Sequence, residues 1–497
     1  MTLTNKTRLT IFFKGNYALI GVLLGSALVS LSLGPYYNFD TEIEYTAASS
    51  VVNLGLPYST PGNLVNQPPI GFYINAIFLR FFGSTYTTGV AVITLFGVGC
   101  VFLIYKLGET FYGKRTGLLA ASLFALTPWQ VILSRSFLID TQCLFFSLLY
   151  LFIGIRAVRK NSLKLFIVAG TLFGVAFLTK LFAVFTLIPL ALIHLHAKPK
   201  SLKRVFEGFL FFLPALLFYY TWYEGISHLG LFSVFTHNDF STVSQGISPS
   251  PLFLLNFFVE NLGLLFLIAV GISVAISLWK RKLFSGSFFS DLVFFLTVVG
   301  VAAVNLYLVL ARGLFVPYVD PVKYDYQLLP ALCLLAASLA AKAYSVANST
   351  ITKVKRPNAV LVIAVVGLIM LAGSVLLNMF TLQALTMQDY LVFIVEGDAG
   401  YSFVRLASTI TQVHLAVIQG VGFVLIIINL VWFNRNILSH AKLRPESAEK
   451  LRASSTFNLV RIAFKATQSC QLRGVCRPQD VTPQLCLLNG TQVLSRD

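Results

Sequence analysis

Charge is what this chain has least of. Asp, Glu, Lys and Arg together make up 11% of its 497 residues, whereas a soluble protein carries about 25%. That shortage excludes an ordinary water-soluble domain. Carboxylates are scarcer than cations, 19 against 37, which leaves a net charge of +18. Cysteine is sparse and irregular. Cys100, Cys143 and Cys333 fall in apolar runs, and Cys470, Cys476 and Cys486 fall in the C-terminal region. With no His nearby, these give neither a disulfide framework nor a zinc-ligand spacing. There is no Walker-type loop and no dinucleotide fingerprint, which disfavours a nucleotide-sugar enzyme working from the cytoplasm. Short alternating strands are missing, so a porin-like barrel is excluded. No convincing internal repeat is visible, which argues against the alternative reading, a multi-pass secondary transporter.

What the chain does have is apolar length. Hydrophobic residues account for 57% of the sequence and the mean hydropathy is +0.79. Apolar runs of roughly 17–25 residues recur, each long enough to cross a bilayer, and the bilayer admits them only as helices. The fold class expected is an all-α polytopic membrane protein with about 12 transmembrane helices. Expected spans are 17–34, 88–107, 116–133, 140–157, 163–179, 181–196, 205–223, 253–279, 291–311, 326–347, 359–381 and 413–433. These belong to a transmembrane domain at 1–434, followed at 435–497 by a basic tail with no sustained periodicity. The basic opening MTLTNKTRLTIFFKGN leads into a full-length span without a small-residue cleavage site, so it reads as a first span rather than a cleavable signal.

Basic clusters recur on alternate loops, including Lys106, Lys114 and Arg115, then Arg156, Arg159 and Lys160, then Lys280, Arg281 and Lys282. The positive-inside rule places these loops and both termini in the cytoplasm. Cations spread over short loops suit membrane lipid headgroups and give no ground for a nucleic-acid partner.

The opposite face gathers the few carboxylates: Asp40, Glu42, Glu44, Asp140 and others, together with Arg80, Arg135, Lys180, Arg312 and Lys323. Charges close to a membrane are costly and are often functional. In FDTEIEYTAASSVVNLGLP, Thr41 and Glu44 fit a capping box. Ile43, Ala47, Val51 and Leu54 then share one face of a short interfacial helix, which Gly55 and Pro57 stop. Capping accounts for Glu42 and Glu44 and leaves Asp40 without a structural duty. Residues 70–82 follow Pro68 and Pro69 as a second short helix, too short to span. A lone Lys180 between apolar segments either snorkels to the interface or, as a compact cation, meets a phosphate.

Several stretches, in order, resemble polyprenyl-phosphate-sugar glycosyltransferases of the GT-C type, with the protein O-mannosyltransferases and lipid A aminoarabinose transferases as the nearest branches. They are FDTEIEYTAA, NQPPIGFYINAIFLRFFG, PWQVILSRSFLIDTQCLFF, GVAFLTK and VKYDYQLLPAL, spanning roughly residues 15 to 340. The pattern departs in two places. Thr41 separates Asp40 from Glu42, and Gln67 stands where the family often has Lys or His before Pro-Pro. The resemblance implies transfer of a sugar from a polyprenyl phosphate to an acceptor hydroxyl at the extracytoplasmic face. The acceptor would be a protein, lipid or glycan. It implies Asp40 as base, with Asp140 and Glu42 as further carboxylates. Lys180, Arg135, Lys323 and Arg312 are the candidates for donor phosphate, and Tyr324, Tyr326 and Gln67 for substrate contact. A divalent metal ion between the two acidic motifs, as in the related oligosaccharyltransferases, stays open here, since the O-mannosyltransferase branch implies none. An inactive scaffold of the same fold is a third reading.

Overall fold

The structure is a computed structural model, and it describes residues 5–32, 35–36, 39–60, 62–65, 67–197, 202–228, 264–279, 285–312 and 325–351. These residues are almost entirely helical. Helix α1 (Asn5–Ser32) is followed by α2 (Phe39–Leu54), a small antiparallel hairpin of β1 (Tyr58–Thr60) and β2 (Asn63–Leu64), and α3 (Ile70–Phe82). Next come α4 (Tyr86–Tyr112), α5 (Lys114–Leu126), α6 (Pro128–Ser134), α7 (Ile139–Lys160) and α8 (Leu163–Thr179). A 3-10 turn (Leu181–Thr186) leads into α9 (Leu187–His196), and α10 (Leu202–His228) follows. Beyond these lie α11 (Leu264–Trp279), α12 (Ser285–Arg312), a second 3-10 turn (Tyr326–Leu328) and α13 (Leu329–Ile351).

The first ten expected spans overlap these helices where they are described, although α1 begins at Asn5, twelve residues before the expected 17, and 181–196 is divided between the 3-10 turn and α9. The expected spans 359–381 and 413–433 and the tail lie outside the described residues, as do Lys323 and Tyr324. Among the described residues, Tyr86–Tyr112, Ile139–Lys160, Leu202–Gly225 and Ser287–Tyr307 are long and apolar enough to cross a bilayer, and several shorter apolar helices accompany them. The expected span 116–133 is broken. Pro128 lacks the N–H that would continue the ladder, so α5 ends at Leu126 and Pro128 starts α6 in its first turn.

Small residues set how closely the helices approach. A Cβ on Gly117 would lie 2.6 Å from the backbone nitrogen of Glu109 and 2.6 Å from the carbonyl oxygen of Tyr105. Helices α4 and α5 therefore cross backbone to backbone. Gly170 does the same for α8 against the Phe211 carbonyl of α10.

A second kind of tie is polar. Asp291 of α12 and Lys342 of α13 form an ion pair of 2.9 Å, both almost fully buried. Tyr112 Oη, Ser277 Oγ and Ser338 Oγ donate to the Asp291 carboxylate, and Lys342 also donates to Ser273 of α11. This fully engaged network knits the ends of α4, α11, α12 and α13. A buried charge pair persists in that form only when its remaining hydrogen-bonding capacity is filled.

The first loop packs on the protein. Ala47 and Ala48 of α2 are fully buried beside Phe72 and Leu79 of α3, Val90 of α4, and Phe137 and Ile139 at the α6–α7 link. Helix α2 does end at Leu54 with Gly55 in the left-handed region at φ 80°, as the sequence suggests.

Because the obstacle at Gly117 is backbone, which cannot swing aside, Gly117→Ala is expected to cost about 1–3 kcal/mol. Gly208→Ala on α10, where no atom lies within 4 Å, is expected to be neutral or slightly stabilising. Thermal unfolding of the two purified variants in detergent measures the contrast; equal midpoints would contradict the close crossing.

Candidate functional site

The N-terminus of α7 is where the scarce charges meet. Its first backbone N–H groups have no intrahelical acceptor, and the preceding residue, Leu138, has no side chain able to cap them. The acceptor comes from the first loop instead. Glu44 Oε2 of α2 accepts a 2.7 Å hydrogen bond from the Ile139 N–H. A carboxylate at that position also meets the positive end of the α7 dipole.

This corrects the capping-box expectation. Helix α2 begins at Phe39, so Thr41 lies inside its first turn, fully buried, and is not the N-cap. Glu44, 1% exposed, caps a helix 95 residues away rather than its own. Asp40 and Glu42 stand in the first turn of α2, Asp40 half-buried and Glu42 exposed. Asp40 precedes Glu44 by four residues, so the two occupy one face of α2.

One residue past Ile139, Asp140 Oδ2 receives the Lys180 ammonium at 2.7 Å. Both side chains are buried, Asp140 at 2% and Lys180 at 7% exposure. Lys180 sits in extended backbone between the end of α8 and the 3-10 turn. The chain break there turns its side chain toward α7 rather than along α8. The Cys143 thiol donates to the Lys180 carbonyl at 3.5 Å, and Lys180 Nζ lies 5.8 Å from the Phe182 ring centroid.

Helix α3 closes one side. A Cβ on Gly71 would come within 2.8 Å of Ile139 Cγ2 and 3.1 Å of Thr179 Cγ2, so α3 lies directly on the junction of α7 and α8. From α3, Asn75 Oδ1 accepts from Gln142 Nε2 at 2.6 Å, with both amides buried. Their second polar atoms have no hydrogen bond among the described residues, and the same holds for the buried Oε1 of half-buried Gln67.

Arg135, at the end of α6, completes the rim. Its carbonyl accepts from the Tyr36 N–H at 2.8 Å, and its guanidinium lies 5.6 Å from the Tyr36 ring centroid. The Tyr86 hydroxyl donates to the Tyr36 carbonyl at 2.6 Å, tying the entry of the first loop to α4. Burial pulls the Arg135 pKa down to about 10, opposed by Tyr36 and Tyr86, so the group stays cationic at neutral pH.

The structure thus unites Asp140 with Lys180 and places Asp40, Glu44, Arg135 and Gln67 on the elements around them. Arg80 is exposed on α3, away from this cluster's buried contacts. Arg312 ends α12, and its side chain is not described. Tyr326 does not line an open site. It is fully buried, its hydroxyl donates to Gln130 Oε1, and its ring packs against Phe124 and Trp129. Asn75 and Gln142 were not singled out from the sequence, since an amide inside an apolar helix carries no pattern of its own.

The donor set does not fit a divalent ion. Asp140 is taken by an ammonium and Glu44 by a backbone N–H. No three His, Cys, Asp or Glu side chains come together among the described residues.

Comparisons with known proteins bear on the fold that carries these residues. The structure of ArnT from Cupriavidus metallidurans bound to undecaprenyl phosphate superimposes with a TM-score of 0.51 at 14% identity, covering 90% of this chain and 80% of that one. The chain has the GT-C fold. The sequence model of the family described as dolichyl-phosphate-mannose-protein mannosyltransferase matches residues 66–222. That segment contains Gln67, Arg135, Asp140 and Lys180 but ends short of Asp40 on the N-terminal side. Two Bacillus subtilis (strain 168) proteins named as mannosyltransferases, YycA and YkcB, are 34% identical over 153 residues and 30% identical over 141. The matches cover 31% and 28% of this chain but only 22% and 20% of those proteins.

Removing one member of a buried ion pair strands the other, at a cost of about 3–5 kcal/mol. Asp140→Asn and Lys180→Met are each expected to lose stability on that scale, and the double variant less than the sum of the two. A double-mutant cycle on thermal unfolding reads the coupling; strict additivity would contradict the pair.

Proposed function

We propose that this GT-C chain is an integral-membrane glycosyltransferase that takes a sugar from a polyprenyl phosphate. The observation that carries this reading is the buried Asp140–Lys180 pair, one residue from the Ile139 N–H that Glu44 of α2 caps. An acceptor hydroxyl attacks the anomeric carbon of the donor. The bond from that carbon to the phosphate oxygen breaks, and polyprenyl phosphate leaves. Asp40, half-buried and on the same face of α2 as Glu44, takes the acceptor proton, the role of a positioned general base. Lys180 meets the growing charge on the leaving phosphate. A cation fixed in advance in a site of low polarity costs no reorganisation when that charge develops. Asp140 holds the ammonium in position until the phosphate arrives, and Arg135 supplies a second cation at the rim.

Alternation of the basic loops supports an extracytoplasmic location for this site, with about 12 spans in all. The identity of the sugar is set by groups such as Asn75, Gln142 and Gln67 that hold amide atoms near the pair. Transport has no comparable support. Among the described residues, the buried Asp140–Lys180 pair lies at helix ends rather than at the midplane sites expected of a transporter.

Transfer of radiolabelled sugar from a polyprenyl-phosphate donor, assayed on membranes containing the full chain, tests the reading. Asp40→Asn is expected to insert normally and lose transfer by at least about 100-fold, the usual scale for a general base. Lys180→Ala is expected to weaken donor use far more than Arg80→Ala. Glu44→Gln keeps an acceptor for the Ile139 N–H and is expected to be milder than Glu44→Leu. Near-normal transfer by Asp40→Asn would remove Asp40 from the mechanism and shift the base to Asp140.

A further inference from the structure

At the other end of α7 lies a cavity that the transfer chemistry does not use. It has a volume of about 350 Å³ and opens between α4, α7, α9 and α12, lined by Phe111, Arg159, Ile193, His196, Phe289 and Ser290 among others. Arg159 is nineteen residues from Asp140 along α7, about 28 Å of helix rise. The cavity and the candidate site therefore sit at opposite ends of one transmembrane helix.

The polar side chains of the cavity are held in place. Arg159 Nη2 donates to the Thr110 carbonyl at 3.2 Å, and its guanidinium lies 5.6 Å from the Phe111 ring centroid. That bond engages one of five guanidinium N–H donors. The His196 ring stacks on Phe289 with centroids 3.8 Å apart and an interplanar angle of 21°. Glu109, a nearby carboxylate on α4, is bound to Lys106 at 2.5 Å. The lining mixes apolar side chains such as Phe111, Ile193 and Phe289 with Arg159, His196 and Ser290, and Leu195 beside His196 is 74% exposed on the outside of α9. The result is a pocket with exposed Arg159 and His196 at its mouth, Ile193 and Ser290 buried within it, and an apolar outer surface next to it.

We propose that this cavity binds the phosphate headgroup of an anionic phospholipid in the leaflet opposite the candidate site. An amphipathic ligand fits all three features. Its phosphate meets Arg159 and His196, its glycerol region enters against Ile193 and Phe289, and its acyl chains run along α9 past Leu195. The volume is in the range of small-ligand sites. Basic pockets between helices on the cytoplasmic side attract anionic headgroups, and each Lys or Arg near the surface contributes about 1 kcal/mol.

The test uses the purified full chain in neutral detergent and follows its thermal unfolding midpoint on titration with phosphatidylglycerol. The midpoint is expected to rise and saturate. Arg159→Gln should raise the half-saturating concentration about fivefold, the factor corresponding to one lost cation. Ile193→Trp, which fills the cavity without changing charge, should do the same. Lys164→Gln, an exposed cation outside the cavity, should leave it unchanged. A neutral lipid, phosphatidylcholine of the same chains, should not raise the midpoint. An equal effect of phosphatidylcholine, or an equal loss in Lys164→Gln, would overturn the site. Saturation of the same shift by inorganic phosphate alone would overturn the lipid as its ligand. If one cavity variant fails to fold, the other still decides.

Discussion

A carboxylate and an ammonium out of contact with water must hold each other, or one of them loses its charge. Asp140 and Lys180 do so at 2.7 Å, and the surrounding elements are placed to make that contact. Lys180 has to leave the end of α8 in extended backbone, which breaks the hairpin of α8 and α9 with a 3-10 turn. Asp140 has to stand in the first turn of α7, whose free N–H groups need an acceptor. Glu44 provides it from α2. Gly71 allows α3 to lie over the junction, where any larger residue would meet Ile139. The two short first-loop helices are thus tied to the ion pair through backbone and packing rather than resting on the bilayer alone.

That arrangement separates two duties for acidic residues in one short helix. Glu44 is consumed by the α7 terminus, and its charge is useful where it is because a helix N-terminus is positive. Asp40, one turn earlier and less buried, stays closer to the surface from which an acceptor would come. The other buried pair, Asp291 with Lys342, differs in kind. Four hydroxyls and a carbonyl complete its hydrogen bonding, so it is suited to holding α11, α12 and α13 together. Lys180 instead pairs with Asp140 at the first turn of α7, beside the α2 carboxylate that caps it.

Helix positions were legible in the sequence because a bilayer-length apolar run has few alternatives to a helix. Range 70–82, too short to span, was legible from the Pro68–Pro69 pair that opens its apolar run, and it matches α3. The scarcity of charge also made Asp140 and Lys180 conspicuous. Their pairing was not legible, since it joins residues 40 apart through tertiary structure. Glu44 was misread because Thr41 and Glu44 satisfy a local capping rule, while the helix starts at Phe39 and the partner of Glu44 is 95 residues distant. Tyr326 was read from a Tyr-rich segment as a substrate contact, yet an aromatic ring flanked by Phe124 and Trp129 gains more by burial. Asn75 and Gln142 left no sequence signal, because only their mutual hydrogen bond distinguishes them from any other polar residue in a helix.

The account turns on whether Lys180 is the phosphate anchor and Asp140 its placeholder. The most direct measurement is the affinity of the purified full chain for polyprenyl phosphate, compared among the wild type, Lys180→Met and Asp140→Asn. Lys180→Met should bind at least about tenfold more weakly, a loss of about 1.4 kcal/mol. Asp140→Asn, which keeps an oxygen beside the buried Lys180 ammonium, should lose less affinity than Lys180→Met. Equal losses in both variants would mean that the pair only supports the fold. Unchanged binding in Lys180→Met would contradict the account outright.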